Sequence, residues 1–236
     1  MQFEPSKKSL ADLVEHLNEL EWRGELLLTH QRRQVVNVLK QFHTGNSDYL
    51  GFCLSAADFT NGARLFTGER LHTQLGLNYV LGLEICRQLQ RMDGFLVETR
   101  EIIKDVNQRL LNLCFVKDDC LIGECAYSLV AFWRYLISAN WLDGKERINH
   151  YVRLLKSQRD GNGRWNRFPF YYTLMVLFES DTPQADAELA YALPACQRSR
   201  NFITLPEPYA QRRKELVDQV DRIFSVKQVQ FSTLGV

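Results

Sequence analysis

The sequence predicts an all-α protein of repeated helical hairpins, arranged as an α/α toroid or partial toroid, with an open α-solenoid as the alternative. Three observations carry this expectation. Apolar residues recur at helical spacing through most of the 236 residues, and no segment couples hairpin turn chemistry to alternating apolar positions. Helix, turn and helix recur as a unit along the chain. Two stretches, Tyr127–Ile137 and Phe168–Phe178, are apolar on nearly every face, as helices enclosed by others must be. Solenoid repeats usually keep one amphipathic face on each helix, so these stretches favour a double-walled ring.

The repeat is visible as fixed offsets. Leu39-Lys40 and Gly45-Asn46 return as Leu155-Lys156 and Gly161-Asn162, displaced by 116 (155 − 39 and 161 − 45). Tyr79, Tyr127 and Tyr172 each open a Tyr-x-Leu or Tyr-Val-Leu step at intervals of 48 and 45 (127 − 79 and 172 − 127). Asp93-Gly94, Asp143-Gly144 and Asp181-Thr182 break the helices that follow. A hairpin of roughly 40–50 residues cannot bury its own apolar face and needs neighbours on both sides.

Taken in order, Ser9 is placed to cap a first helix with Leu10, Leu13, Val14, Leu17 and Leu20 on one face. A second runs from His30 to Phe42 and stops at the turn His43–Asp48. The apolar segment Tyr49–Phe66 is read as helical. Glu69–Met92 is a long helix with apolar residues on more than one face. Val97–Leu113 puts Ile102, Ile103, Val106, Leu110 and Leu111 inward. After the turn Lys117–Cys120, Gly123-Glu124-Cys125 leads into the apolar helix Ala126–Ile137. Glu146–Gln158 is again one-sided. Pro183 suits the first turn of a further helix, which Pro194 should bend or end. Leu205–Pro208 reads as a linker, and Tyr209–Phe224 as the last helix. The tail from Ser225 lacks helical period and is open to a short strand, an arm or disorder. This gives about nine or ten helices, in a repeat domain 1–204 with a C-terminal helix and tail, 205–236, packed on it.

Composition narrows the function classes. Hydrophobic residues make up 45% and charged residues 24%, the balance of a globular protein. A net charge of +1 and a pI near 7.6 give no electrostatic case for nucleic acid. No run approaches the roughly 18 apolar residues of a membrane span, and the N-terminal segment lacks the apolar core of a secretory signal. Six cysteines without a C-x-x-C pair suggest reduced thiols and a cytoplasmic location.

Ser157-Gln158 followed by Asp160-Gly161 and Trp165 resembles the Q-x-x-D-G-x-W element of the prenyltransferase, squalene cyclase and terpene cyclase repeats. With its degraded copies the resemblance spans Val35 to Asn201. It implies an α/α toroid in which the Gln and Trp join the end of an outer helix to the following turn. The chain departs from that family in two ways: it holds about five hairpins rather than the six or more of a closed ring, and it lacks the D-x-D-D acid motif of the class II cyclases.

The resemblance also directs attention to the entry of the apolar helix after residue 124. Protein prenyltransferases hold zinc through Asp, Cys and His near such a position, which makes Asp119, Cys120 and Cys125 metal candidates. C-x4-C is not a standard zinc spacing, however. The plainer reading is a solvated acidic turn, Asp118-Asp119, before a small buried cysteine, with no cofactor; zinc or magnesium is the alternative. For catalysis the candidates are Asp119, Glu124 and His72, although a histidine at a helix start is ordinarily a cap or surface residue. For an apolar or isoprenoid-like ligand the candidates are Tyr79, Tyr127, Tyr171 and Tyr172, with Arg164 and Arg167 placed to meet a diphosphate or carboxylate. Buried aromatics are otherwise simply core.

Three function classes follow. The first is a non-catalytic binding protein for an apolar small molecule or a protein partner. The second is a prenyltransferase- or cyclase-type enzyme, for which Asp119, Glu124, Tyr127, Arg167 and Tyr172 are the residues to test. The third is a peptide-binding solenoid, whose tail is free to reach a second copy in a homodimer.

Overall fold

The computed structural model describes residues 4–5, 8–45, 50–52, 54, 63–92, 95–139, 141 and 143–233. Most of the helix expected over Tyr49–Phe66, the Asp93–Gly94 breaker and Cys53 lie outside the described residues. Among those described there are ten α-helices and no strand, so the all-α expectation holds. The chain divides into two compact units: residues 1–64 with 70–142, and residues 65–69 with 143–236.

The first unit contains α1 (Leu10–Trp22), α2 (Thr29–Phe42), α3 (Gln74–Arg91), α4 (Leu96–Leu110), α5 (Cys114–Lys117) and α6 (Cys125–Ser138). Ser9 Oγ accepts from the Asp12 amide at 3.2 Å, satisfying one of the free donors at the start of α1. Leu10, Leu13, Val14 and Leu17 follow on its buried stripe. α3 packs chiefly on α6 and also meets α1 and α4. Its residues from Gly76 to Leu89 are all buried, polar ones included. It starts at Gln74 rather than Glu69, because the preceding backbone is held extended by the bridge between Arg64 and Arg70.

A charged cluster lies within this packing. Glu84 is 5% exposed, Arg87 2% and Arg134 2%. The Glu84 carboxylate accepts from Arg87 Nε at 2.9 Å and from Arg134 Nη1 at 2.9 and 3.1 Å. Arg87 also donates to Glu21 at 2.8 Å, and Gln88 Nε2 to Asn18 Oδ1 at 2.8 Å. Burial and the Arg134 charge pull the Arg87 guanidinium pKa down, but Glu84 and Glu21 outweigh them and hold it above its usual value. The cluster thus joins α1, α3 and α6 through ions whose remaining donors and acceptors are supplied by neighbours. Without those neighbours their desolvation would not be offset.

The second unit contains α7 (Gly144–Ser157), α8 (Phe170–Ser180), α9 (Pro183–Ser199), a 3-10 turn (Arg200–Phe202) and α10 (Tyr209–Thr233). α9 packs on α7, α8 and α10. α8 is buried from Phe170 to Leu177, as its unbroken apolar run demands. Asp181 ends it in the left-handed region (φ 43°), and Thr182 caps α9 by accepting from the Ala185 amide at 3.2 Å. Pro194 does not end α9, which continues to Ser199 with Ala192, Ala195 and Cys196 buried on either side of it. α10 passes Phe224, where the apolar pattern stops, and reaches Thr233. No glycine or proline occurs between Tyr209 and Thr233 to stop it.

The joint read from Gln158 to Trp165 connects α7 to α8. Asp160 Oδ1 accepts from the Asn162 and Arg164 amides at 2.8 and 2.9 Å and from Tyr191 Oη at 3.1 Å. Those two amides, first among its partners, hold the Asp160 carboxyl below its ordinary pKa. Gly161 and Gly163 take positive φ, and a Cβ on Gly163 would come 3.2 Å from the Tyr191 carbonyl oxygen. The Gln158 side chain donates to Ser157 instead of to the turn; the tie is made by its carbonyl oxygen, which accepts from the Asn166 amide at 2.8 Å.

Candidate metal centre

Between α4 and α6 the chain makes a tight excursion. α5 is a single turn beginning at Cys114. The chain then reverses at Asp119 (φ 51°) and Gly123 (φ 55°), both in the left-handed region. The Cys120 amide donates back to the Cys114 carbonyl at 3.3 Å, and the Cys125 amide to that of Ile122 at 3.1 Å. These bonds fold Cys114, Cys120 and Cys125 onto one another. Their three sulfurs lie within 4.8 Å of each other, and Cys114 Sγ is 3.7 Å from Cys125 Sγ.

That spacing has a chemical meaning. With zinc–sulfur bonds of about 2.3 Å, the edge of a tetrahedral thiolate set is about 3.8 Å. Cys114 is exposed, while Cys120 and Cys125 are half-buried, so the group is open to solvent on one side. Partial burial first, and then the neighbouring thiols, push Cys125 up to about 12. Cys120 moves down, chiefly because the Ile122 amide hydrogen-bonds its sulfur. Thiols this close resist ionising together, and a cation among them removes that resistance. The three thiols together could hold a metal ion.

Of the metal candidates read from the sequence, Cys120 and Cys125 join this group. Asp119 supplies the reversal and is not among the three donors. Cys114 was not singled out. The signal available for it was three cysteines within twelve residues, spaced by an acidic turn and a glycine.

Glu124 is adjacent to the thiols but turned to another task. Its carboxylate accepts from the Thr73 amide at 3.0 Å, from the Thr73 hydroxyl and from the His72 amide. Thr73 Oγ1 in turn accepts from the Gly76 amide at 3.0 Å. Glu124 therefore caps α3 from outside the helix, where an anion is favoured by the helix dipole. A Cβ on Gly76 would collide with Glu124 Oε2 and lie 2.9 Å from Glu124 Cβ, so only glycine admits the clamp. We expect Glu124→Ala and Gly76→Ala each to lower stability by about 1–2 kcal/mol, read by urea denaturation. Faster exchange of the Gly76 and Leu77 amides would localise the loss to the start of α3.

His72 is exposed and takes part through its backbone amide. Tyr79 is buried on α3 and meets Phe115 edge-on at 5.4 Å. Tyr127 is half-buried in the first turn of α6.

The remaining ligand candidates belong to the second unit. The Tyr171 and Tyr172 amides donate to Glu69 Oε1 at 2.9 and 3.1 Å. Tyr171 Oη donates to Ser199 Oγ at 3.1 Å, and the Arg213 guanidinium lies 4.1 Å from the centre of the Tyr171 ring. The Arg164 guanidinium stacks 4.4 Å over Phe170. Arg167 is exposed, with φ of 69°. These residues are engaged in packing α8 and its approach, which accounts for their apolar surroundings without a ligand.

No family model, curated protein or solved structure matches this chain.

Proposed function

We propose that the protein is a helical binding protein that holds a thiophilic divalent ion, zinc foremost, through Cys114, Cys120 and Cys125. The single observation that carries this reading is the approach of three sulfurs to within 4.8 Å, one pair at the edge length of a zinc–thiolate tetrahedron. The ion would close the loop 114–125 and fix the entry of α6, whose neighbour Glu124 caps α3. A soft donor set favours zinc over magnesium, which takes oxygen ligands. The frame belongs to the proposal as well: paired helices in a ring or partial ring, resembling the prenyltransferase and cyclase repeats. On that frame a protein partner or an apolar molecule would be the second thing bound.

The test is elemental analysis and native mass spectrometry of freshly purified protein. One zinc per chain is expected, with the chelator-stripped protein rebinding one equivalent. Cobalt in its place should give the sulfur-to-metal absorption of a thiolate site. Cys114→Ser and Cys120→Ser should each weaken binding by about 100-fold or more, beyond the 10–100-fold typical of outer-shell partners, with far-UV circular dichroism unchanged. A folded wild-type protein that neither carries nor takes up the ion overturns the proposal.

A further inference from the structure

The same three thiols are placed for a second chemistry, one that requires no ion. Cys114 is exposed at the start of α5, and Cys125 Sγ, 3.7 Å from it, is half-buried at the start of α6. The other described cysteines, Cys86 and Cys196, are 0% exposed. An oxidant in solution therefore meets Cys114 with a second thiol already in van der Waals contact, whereas Cys86 and Cys196 are shielded. An accessible thiol with a resolving thiol beside it is the arrangement that yields a reversible disulfide rather than a terminal oxyacid.

We propose that Cys114 and Cys125 are a hydroperoxide-modified pair, and that disulfide formation between them dismantles the metal site; only the second clause rests on the zinc reading. In the first step the Cys114 sulfur attacks one oxygen of hydrogen peroxide. The O–O bond breaks, and the departing hydroxide takes a proton and leaves as water. Cys114 is then a sulfenic acid, oxidised by two electrons. In the second step the Cys125 sulfur attacks the Cys114 sulfur, the S–O bond breaks, and a second water leaves. Two thiols and one peroxide become one disulfide and two waters. Cys120 keeps its thiol, and a lone thiolate is too few donors to retain the ion, so zinc is released as the bond closes. Reduction by a small thiol restores all three donors.

The test compares chelator-stripped and zinc-loaded protein treated with a few equivalents of hydrogen peroxide. The expected product is lighter by about 2 Da, the two hydrogens lost to water. It should contain a Cys114–Cys125 cross-linked peptide, and in the loaded sample one zinc should be released per disulfide. Cys120→Ser should still form the bond. In the double variant Cys120→Ser/Cys125→Ser the Cys114 sulfenic acid has no resolving partner, so trapping by dimedone should rise at least about tenfold over Cys120→Ser. Cys86 and Cys196 should stay unmodified in both. A wild-type disulfide that includes Cys120, equal dimedone trapping in Cys120→Ser and the double variant, or no disulfide at all overturns the inference. A stripped protein that forms the disulfide yet never binds an ion removes the zinc reading and leaves the pair standing. A protein that binds zinc and forms no disulfide does the reverse.

Discussion

Glu84→Gln should destabilise the first unit by about 3–5 kcal/mol, the range found when one member of a buried ion group is removed. The shape of the side chain is nearly kept, so the effect reports charge and hydrogen bonding, not a cavity. Without the negative charge, Arg87 and Arg134 face each other almost wholly buried, and Gln keeps only one of the two oxygens that Arg134 reaches at 2.9 and 3.1 Å. Arg87 retains Glu21, so it is the less affected of the two. Arg134→Met leaves Glu84 still paired with Arg87 and should cost less, about 3 kcal/mol. The double variant Glu84→Leu with Arg134→Met removes a whole pair and should be more stable than the sum of the single losses implies, because the two residues are coupled. Urea denaturation gives the magnitude, and native-state exchange of α3 amides assigns it to this unit. A Glu84→Gln loss below about 1 kcal/mol would show that the cluster contributes no more than a surface pair does.

Glu188→Ala is expected to cost the second unit about 2–3 kcal/mol. Glu188 is 1% exposed on α9 and takes three donors: Arg159 Nε at 3.1 Å, Arg159 Nη2 at 2.8 Å and Trp165 Nε1 at 3.0 Å. When it is truncated the half-exposed Arg159 can turn to water, but the indole N–H, on a side chain 4% exposed, cannot. The greater part of the loss therefore falls on Trp165, and Glu188→Gln, which keeps one acceptor, should recover about half of it. Trp165→Phe in the Glu188→Ala background should be nearly neutral, since it removes the orphaned donor. Equal losses in Ala and Gln variants would count against the indole bond as the cause.

These two sites also mark where sequence reading succeeds and where it stops. Helices with one apolar stripe, such as α1 and α7, are legible because burial repeats with the helical period. The joint around Asp160, Gly161 and Trp165 is legible because its positive-φ glycines and its carboxylate act locally. Glu188 is not, since an acidic residue amid alanines reads as solvent-facing, and its partners lie 23 and 29 residues earlier. Glu84 is hidden for the same reason, its partner Arg134 being 50 residues further on. In the candidate metal centre, Cys120 and Cys125 could be named from their place before an apolar helix. Cys114 depends on Asp119 entering the left-handed region, which a non-glycine residue rarely does and which no local pattern announces.

The placement of Leu65–Glu69 has a consequence for how the chain must be made. These five residues lie within the stretch that builds the first unit, yet they belong to the second. There Arg212 donates to the Phe66 carbonyl at 3.0 Å and Arg213 to that of Thr67 at 2.6 Å, each across 146 positions. A nascent chain leaving the ribosome N-terminus first therefore carries this segment, before its Arg212 and Arg213 donors exist, through the synthesis of all the helices from α3 to α9. In chain order the second unit begins inside the span of the first and is completed after it. The earlier one can pack its helices while still tethered, but the later one cannot close until the last helix arrives, and the entropy of that long loop is met late in folding.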